Sequence, residues 1–249
     1  MPGGSLSQAV AVAGIYADRE WGARDTPHSG PIEVSGPWTK RGWAIKRGVD
    51  VVLSLAMLTV LSPLMLAIAL LIKLTSKGPV IFRQARIGLN RRSAAQPPYV
   101  GRDRRKQNLG GRPFRIYKFR TMYADAPKYE TKPSRSDDPR ITPVGRFLRK
   151  TALDELPQFL NVLRGEMSLV GPRPEMSFIV ARYGRREVER LRVKPGITGL
   201  WQLEDTRGAP IHENVQYDLY YIQNWSLWLD IKILLRTVIF LFFHGDRNL

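Results

Sequence analysis

The sequence predicts an α+β fold, mostly helical, in which an apolar helix-break-helix hairpin is joined to a small, strongly basic domain. Three observations lead there. Val51 to Ile72 runs for 22 residues without a charge and is interrupted near its middle by Ser62-Pro63. Phe114-Arg115-Ile116-Tyr117-Lys118-Phe119-Arg120 alternates apolar and basic residues as a half-buried strand does. Leu156, Phe159, Leu160 and Leu163 recur at helical spacing directly after the adjacent carboxylates Asp154-Glu155.

Residues 1–38 hold fourteen Gly, Pro or Ser and show no sustained period, so they read as a mobile N-terminal arm. The apolar patch from Ala9 to Ala17 has no basic leader, which argues against a cleaved signal peptide. Folded structure is expected from Trp38 onward.

Residues 39–77 are expected to form the hairpin. A straight helix over Val51 to Ile72 would be about 33 Å long, enough to cross a hydrocarbon core of about 30 Å. Pro63, however, removes one rung of hydrogen bonding and kinks or breaks the helix. Lys40, Arg41, Lys46 and Arg47 precede the run and Lys73, Lys77, Arg83 and Arg86 follow it. Basic flanks favour the cytoplasmic side, and two of them place both ends on that side. The result is a segment that dips into the bilayer and returns, with about 11 residues per arm, too short to span. A kinked spanning helix and a buried helix of a soluble core are the two alternatives.

Residues 78–249 form the remaining domain. Between Arg83 and Arg120 there are twelve Arg or Lys and one acid, Asp103. Within it, residues 91–110 carry Pro97-Pro98 and Gly101 and read as an exposed basic loop, either solvated or attracted to anionic headgroups at about 1 kcal/mol per charge. In the strand that follows, Arg115 and Lys118 fall on opposite faces, so only part of the basic set faces one site. Residues 225–243 are apolar with Asp230, Lys232 and Arg236 interspersed, which predicts a helix packed on the domain or lying in the membrane interface rather than one that spans.

Composition narrows the chemistry. A net charge of +17 points to polyanionic partners: nucleic acid, anionic lipid or a phosphorylated substrate. Without cysteine there are no disulfides and no thiolate metal sites, and three scattered histidines at 28, 212 and 244 disfavour zinc. Paired carboxylates suit a hard cation such as Mg²⁺. Asp154 and Glu155 lie where Pro157 suits a first helical turn, close to unpaired N–H groups that would favour an anion. Capping of that helix is the simpler reading of the same residues. Gly171-Pro172-Arg173-Pro174-Glu175 holds an arginine between two prolines, either as a rigid phosphate clamp or as a turn whose arginine pairs with a nearby acid. Gly196 and Gly199 mark a second tight loop where backbone could approach a ligand. Neither a P-loop nor a dinucleotide fingerprint occurs.

Taken in order, Lys46-Arg47…Asp50, Ser62-Pro63, Phe82-Arg83-Gln84…Arg86-Ile87-Gly88, Tyr117-Lys118-Phe119-Arg120-Thr121-Met122, Leu153-Asp154-Glu155-Leu156-Pro157-Gln158, Met167-Ser168-Leu169-Val170-Gly171-Pro172-Arg173-Pro174 and Pro195-Gly196-Ile197-Thr198-Gly199 closely resemble the bacterial sugar transferases, or monotopic phosphoglycosyl transferases. The likeness covers roughly residues 40 to 243. It implies a monotopic membrane protein whose re-entrant hairpin, broken at Ser62 and Pro63, carries a small cytosolic catalytic domain. The implied reaction is transfer of a sugar-1-phosphate from a UDP-sugar to undecaprenyl phosphate with release of UMP. It would be a first membrane step of exopolysaccharide, O-antigen, capsule or glycoprotein glycan synthesis.

By the same resemblance, Asp154 is the nucleophile that forms an aspartyl-phosphosugar, and Glu155 holds Mg²⁺. Lys118, Arg149, Arg173 and Arg207 are the expected phosphate- and substrate-binding residues. The expected location is the bacterial inner membrane, on the anionic cytoplasmic leaflet, with the catalytic domain on the cytoplasmic side. Nucleic acid is not an expected partner, and homo-oligomerisation is left open. Two departures stand out: the basic stretch 91–110 is longer than the link usual there, and Asp205-Thr206-Arg207 replaces the Gly-Arg pair common after Trp201-Gln202. The extra N-terminal transmembrane bundle of larger members is absent, so the expectation is a catalytic core with a short arm. A basic nucleic-acid-binding protein and a non-catalytic membrane scaffold of the same fold are the competing readings.

Overall fold

The charge-free run is divided between two helices, α1 (Lys40–Val60) and α2 (Ser62–Thr75), bent by 60° at Leu61. The computed structural model describes residues 38–90, 110–126, 138–203 and 215–243, all within one compact unit, Val34–Leu249. The arm 1–37, most of the basic loop 91–110, and Arg207 lie outside the described residues.

Thr39 caps α1, accepting a 3.0 Å hydrogen bond from the Gly42 N–H. Pro63 occupies the first turn of α2, where its missing N–H costs nothing. The Ser62 hydroxyl donates to the Thr59 carbonyl at 2.8 Å, covering one of the groups left free where α1 ends. Among the described residues no single helix is long and apolar enough to cross a membrane. The run is therefore not one straight helix; by length and composition the bent pair suits either a broken span or a re-entrant loop. The soluble-core alternative fails on exposure: Val52, Val60, Leu66 and Leu74 are 65–73 % exposed, far too open for a core. Only one face of α2 is packed, with Ile68 and Ile72 against Phe119 and Leu148, flanked by Leu153 and Leu156.

The base of α1 faces inward along Trp43, Lys46, Asp50 and Ser54, a single helical stripe. Trp38 stacks between Trp43 and Trp225, with ring centroids 4.7 and 4.4 Å away. These rings seat α1 against the C-terminal helices α7 (Val215–Gln223) and α8 (Leu227–Phe243). On α8, Leu229 and Ile233 are buried whereas Trp228, Ile231, Leu235 and Val238 are open, so the helix packs on the domain with one face and leaves a second apolar face uncovered.

Strands β1 (Ile81–Ile87) and β2 (Pro113–Phe119) pair antiparallel, Ile81 opposite Phe119 and Arg83 opposite Tyr117. The expected alternation holds from Phe114 to Ile116, both buried around an exposed Arg115, and breaks after it: Tyr117 and Lys118 are both half-buried and Phe119 is buried on the opposite face. Next come α3 (Pro143–Lys150), a 3₁₀ turn over Leu153–Glu155, and α4 (Gln158–Leu163). Strands β3 (Ser168–Val170) and β4 (Gly196–Thr198) are parallel. Between them lie α5 (Ser177–Val180), α6 (Arg185–Val188) and a 3₁₀ turn, Glu189–Arg192. The chain is thus mixed α and β and mostly helical.

The glycines of the second loop serve a different end from the one expected. A Cβ on Gly196 would sit 2.1 Å from the Gly171 nitrogen, and one on Gly199 would sit 2.4 Å from the Gly171 oxygen. Both are glycine because backbone packs on backbone there. Gly145 is constrained likewise, since a Cβ would lie 2.0 Å from the Thr121 carbonyl oxygen. The neighbour is main chain and cannot swing away, so Gly145→Ala is expected to cost about 1–3 kcal/mol. Chemical denaturation of the detergent-purified protein measures this, and a variant as stable as wild type would contradict the packing.

Candidate active site

Asp154 and Glu155 sit on the 3₁₀ turn just ahead of α4, not in the first turn of the helix itself. Ala152, in the left-handed region at φ 54°, turns the chain sharply out of α3. Pro157 then precedes α4, and neither the turn nor α4 has a side-chain cap. Capping is therefore not what the two acids do. Asp154 is buried and Glu155 half-buried.

Lys118 reaches the pair from β2, its Nζ 2.5 Å from Glu155 Oε1 and 3.8 Å from Asp154 Oδ2. Arg173 arrives from the loop after β3, its Nη2 3.4 Å from the same Glu155 oxygen. The arginine between two prolines thus pairs with an acid of the candidate site itself. Arg149, at the end of α3, donates from Nε to the Thr121 hydroxyl at 3.2 Å, and its charge is felt at Asp154. Of the predicted site residues, Lys118, Asp154, Glu155 and Arg173 converge, Arg149 stands beside them, and Arg207 is outside the described residues.

The two carboxyls are driven apart. Burial raises Asp154 above the ordinary range, and the neighbouring Glu155 charge adds to that, against Lys118, Arg149 and Arg173. Burial also works to raise Glu155, but Lys118 and Arg173 outweigh it and hold this carboxyl at about 2. One acid is kept ionised while its neighbour is held closer to protonation, a division typical of paired acids with distinct roles. Among the described residues no group of three or more Asp, Glu or His could enclose a metal. Glu155, ionised and beside Asp154, fits a Mg²⁺ that keeps several waters and takes its other ligands from substrate phosphates.

One residue that matters here escaped the sequence reading. Asn161 is fully buried on α4; its Oδ1 accepts from the Tyr117 N–H at 3.0 Å, and its Nδ2 donates to the Arg115 carbonyl at 2.7 Å and to Glu166 Oε2 at 2.7 Å. It locks the strand carrying Lys118 to the helix that follows the acidic turn. Its signal was a polar residue amid the apolar positions of α4. Arg120, counted with the basic set, points elsewhere: it donates to the Ser76 carbonyl at 2.8 Å and to the Ser76 hydroxyl at 2.7 Å, closing the end of α2.

Comparison with known proteins gives this arrangement its class. The family model for bacterial sugar transferases matches residues 41–244. An Escherichia coli K12 protein named UDP-glucose:undecaprenyl-phosphate glucose-1-phosphate transferase is 42% identical over 203 residues, covering 78% of this chain and 39% of that protein. An Aeromonas hydrophila protein named UDP-N-acetylgalactosamine-undecaprenyl-phosphate N-acetylgalactosaminephosphotransferase is 40% identical over 200 residues, covering 78% and 43%. The exopolysaccharide production protein ExoY of Sinorhizobium fredii is 35% identical over 212 residues, covering 79% and 85%. The chain belongs to the bacterial sugar transferase family. It spans about two fifths of the length of the E. coli and Aeromonas relatives.

Lys118 decides the protonation state of Glu155. In Lys118→Met the largest opposing charge is gone and burial gains, so the Glu155 carboxyl is expected to titrate well above its value of about 2. Carboxyl-carbon NMR of selectively labelled protein reads this. An unmoved titration would show that Arg173 alone holds the charge.

Proposed function

We propose that the chain is a phosphoglycosyl transferase that moves a sugar-1-phosphate from a UDP-sugar to undecaprenyl phosphate and releases UMP. The observation that carries the reading is the buried Asp154 beside an ionised Glu155, with Lys118 and Arg173 converging on the pair. The names of the relatives point to the same transfer.

In the proposed mechanism an Asp154 carboxylate oxygen attacks the sugar-bearing phosphorus, and the bond from that phosphorus to the bridging oxygen breaks, so that UMP leaves with the electron pair. The phosphosugar remains on Asp154 until a phosphate oxygen of undecaprenyl phosphate attacks the same phosphorus and restores the carboxylate. An anion attacks a diphosphate poorly unless the substrate charge is neutralised. Lys118, Arg149 and Arg173 supply part of that neutralisation. Glu155, with water and the diphosphate oxygens, would hold Mg²⁺, which when bound supplies the rest. Burial raises Asp154, whereas the charges of Lys118, Arg149 and Arg173 favour the ionised form that the attack requires.

The proposal extends to the membrane. The bent α1–α2 pair, open along Val52, Val60, Leu66 and Leu74, suits a re-entrant hairpin in the cytoplasmic leaflet of the bacterial inner membrane. Its apolar arms, residues 51–60 and 62–72, are each about 15–17 Å long, half of a hydrocarbon core. An acceptor with its phosphate at headgroup level and a water-soluble donor could then meet at one site on the cytoplasmic side.

Asp154→Asn is expected to lower UMP release from a UDP-sugar and undecaprenyl phosphate by at least about a thousandfold while leaving the thermal midpoint unchanged. EDTA should abolish wild-type release and Mg²⁺ restore it. Turnover retained by the variant removes Asp154 as nucleophile, and turnover in chelator removes the metal.

Topology is testable because the chain has no cysteine. Lys46 is buried and unsuitable for labelling, whereas Lys40 and Lys77 are exposed at the two ends of the hairpin. In spheroplasts, Lys40→Cys and Lys77→Cys are both expected to resist a membrane-impermeant maleimide and to react only after lysis. Labelling of either one before lysis would mean that the segment spans.

A further inference from the structure

Two of the three residues in the Pro172-Arg173-Pro174 loop have no N–H, so main-chain hydrogen bonding there falls mostly on carbonyls, from donors that lie outside the loop. All three are taken. The Pro172 carbonyl accepts from the Gly196 N–H at 2.9 Å, the Arg173 carbonyl from Arg190 Nη2 at 3.1 Å, and the Pro174 carbonyl from Arg86 Nη1 at 3.4 Å.

Of these donors Arg190 is the most deeply set, at 2 % exposure. Burying a guanidinium is costly unless its charge is matched, and Asp218 of α7 matches it with an ion pair of 2.7 Å at 4 % exposure. The other terminal nitrogen, Nη1, donates to the Tyr183 hydroxyl at 2.7 Å. The guanidinium is thereby oriented by α7 on one side and by the residue between α5 and α6 on the other. The remaining contact falls on the main chain of Arg173, whose side chain reaches Glu155.

We infer that Arg190, neutralised by Asp218, is a positioning residue that acts through Arg173, setting where the Arg173 guanidinium meets the donor's phosphates. The inference rests on the phosphate-binding role proposed for Arg173. Arg190 itself makes no contact with the carboxylate pair. Its effect is geometric, and misplacement of a charged group by about 1 Å is enough to cost about a hundredfold in rate.

A double-mutant cycle tests this. Removing one member of a buried pair strands the other, so Arg190→Met is combined with Asp218→Leu, a replacement that buried ion pairs often tolerate. The paired variant is made in the wild-type and in the Arg173→Ala background, with UMP release and thermal midpoint measured on each. Expected are a near-normal midpoint, a kcat/KM lower by about 10- to 100-fold in the wild-type background, and a further loss below about threefold once Arg173 is gone. Arg190→Lys, which keeps the charge, should recover part of the loss. It also carries the cycle in place of the paired variant if that variant does not fold. Equal losses in both backgrounds would overturn the inference, because a merely structural pair does not depend on Arg173. If wild-type protein releases no UMP with any UDP-sugar, the transferase reading fails instead. The same cycle, read on the dissociation constant for UDP, then decides the inference, and additive losses there overturn it.

Discussion

A lysine at 3 % exposure survives only because other polar groups replace its water, and the Lys46–Asp230 contact at 2.6 Å joins the first helix of the bent pair to the C-terminal helix. Desolvating an ammonium and a carboxylate costs several kcal/mol each, recovered only when hydrogen bonds replace the lost water. Here both groups make more than one. Lys46 also donates to the Val170 carbonyl at 3.2 Å, while Asp230 accepts from the Tyr221 hydroxyl at 2.8 Å and from Trp225 Nε1 at 3.1 Å. Its neighbours on α1 follow suit. Arg47 closes the end of α4 through the Val162 and Leu163 carbonyls, and Asp50 accepts from the Ser168 hydroxyl and the Leu169 N–H. Three charged residues of one helix thus grip residues 162–170 at several points. That stretch runs from the acidic turn to the loop of Arg173, so the candidate site is held at a set place relative to the hairpin.

Within that frame the site depends on bringing opposite charges together without letting them collapse into a neutral, inert pair. Lys118 comes from a strand, the acids from a turn and Arg173 from a proline-stiffened loop, three elements with different supports. Asn161 fastens the first to the second. Arg190 holds the main chain of the third. Because each cation is anchored through a backbone that does not depend on the carboxylates, Lys118 and Arg173 can shift their side chains toward an incoming phosphate while the scaffold stays put. Such preorganisation is what electrostatic catalysis of phosphoryl transfer requires.

What could be read from the sequence was local. Ser62-Pro63 announced the break because a proline's missing N–H acts within one turn, and the strand around Lys118 announced itself by period. The acidic pair stood out as a pair, yet its setting was misjudged: helical spacing downstream suggested a helix start, whereas a left-handed Ala152 and a 3₁₀ turn put the acids ahead of it. Gly196 and Gly199 were legible as points of close approach, but the approaching atoms belong to Gly171, which spacing alone could not reveal. Pairings across long separations left no pattern at all. Lys46 lies 184 residues from Asp230, and Arg190 and Asp218 are charged residues whose burial is decided by packing, not by their neighbours in sequence.

The packing of α2 ties the proposed membrane seat to the proposed chemistry. Ile68 and Ile72 bury against Phe119 and Leu148, beside Leu153 and Leu156, the apolar residues that bracket Asp154 and Glu155. Phe119 follows Lys118 directly. The same helix turns Leu66, Leu70 and Leu74 outward, and these are more than half exposed. One short helix therefore has the acidic turn and the lysine strand resting on one face and an apolar surface fit for acyl chains on the other. A spanning helix would gain nothing for a reaction whose acceptor phosphate stays at the headgroups. In the proposed topology, a hairpin that stops halfway would keep both its ends, and the site built on them, on the side where a nucleotide sugar is dissolved.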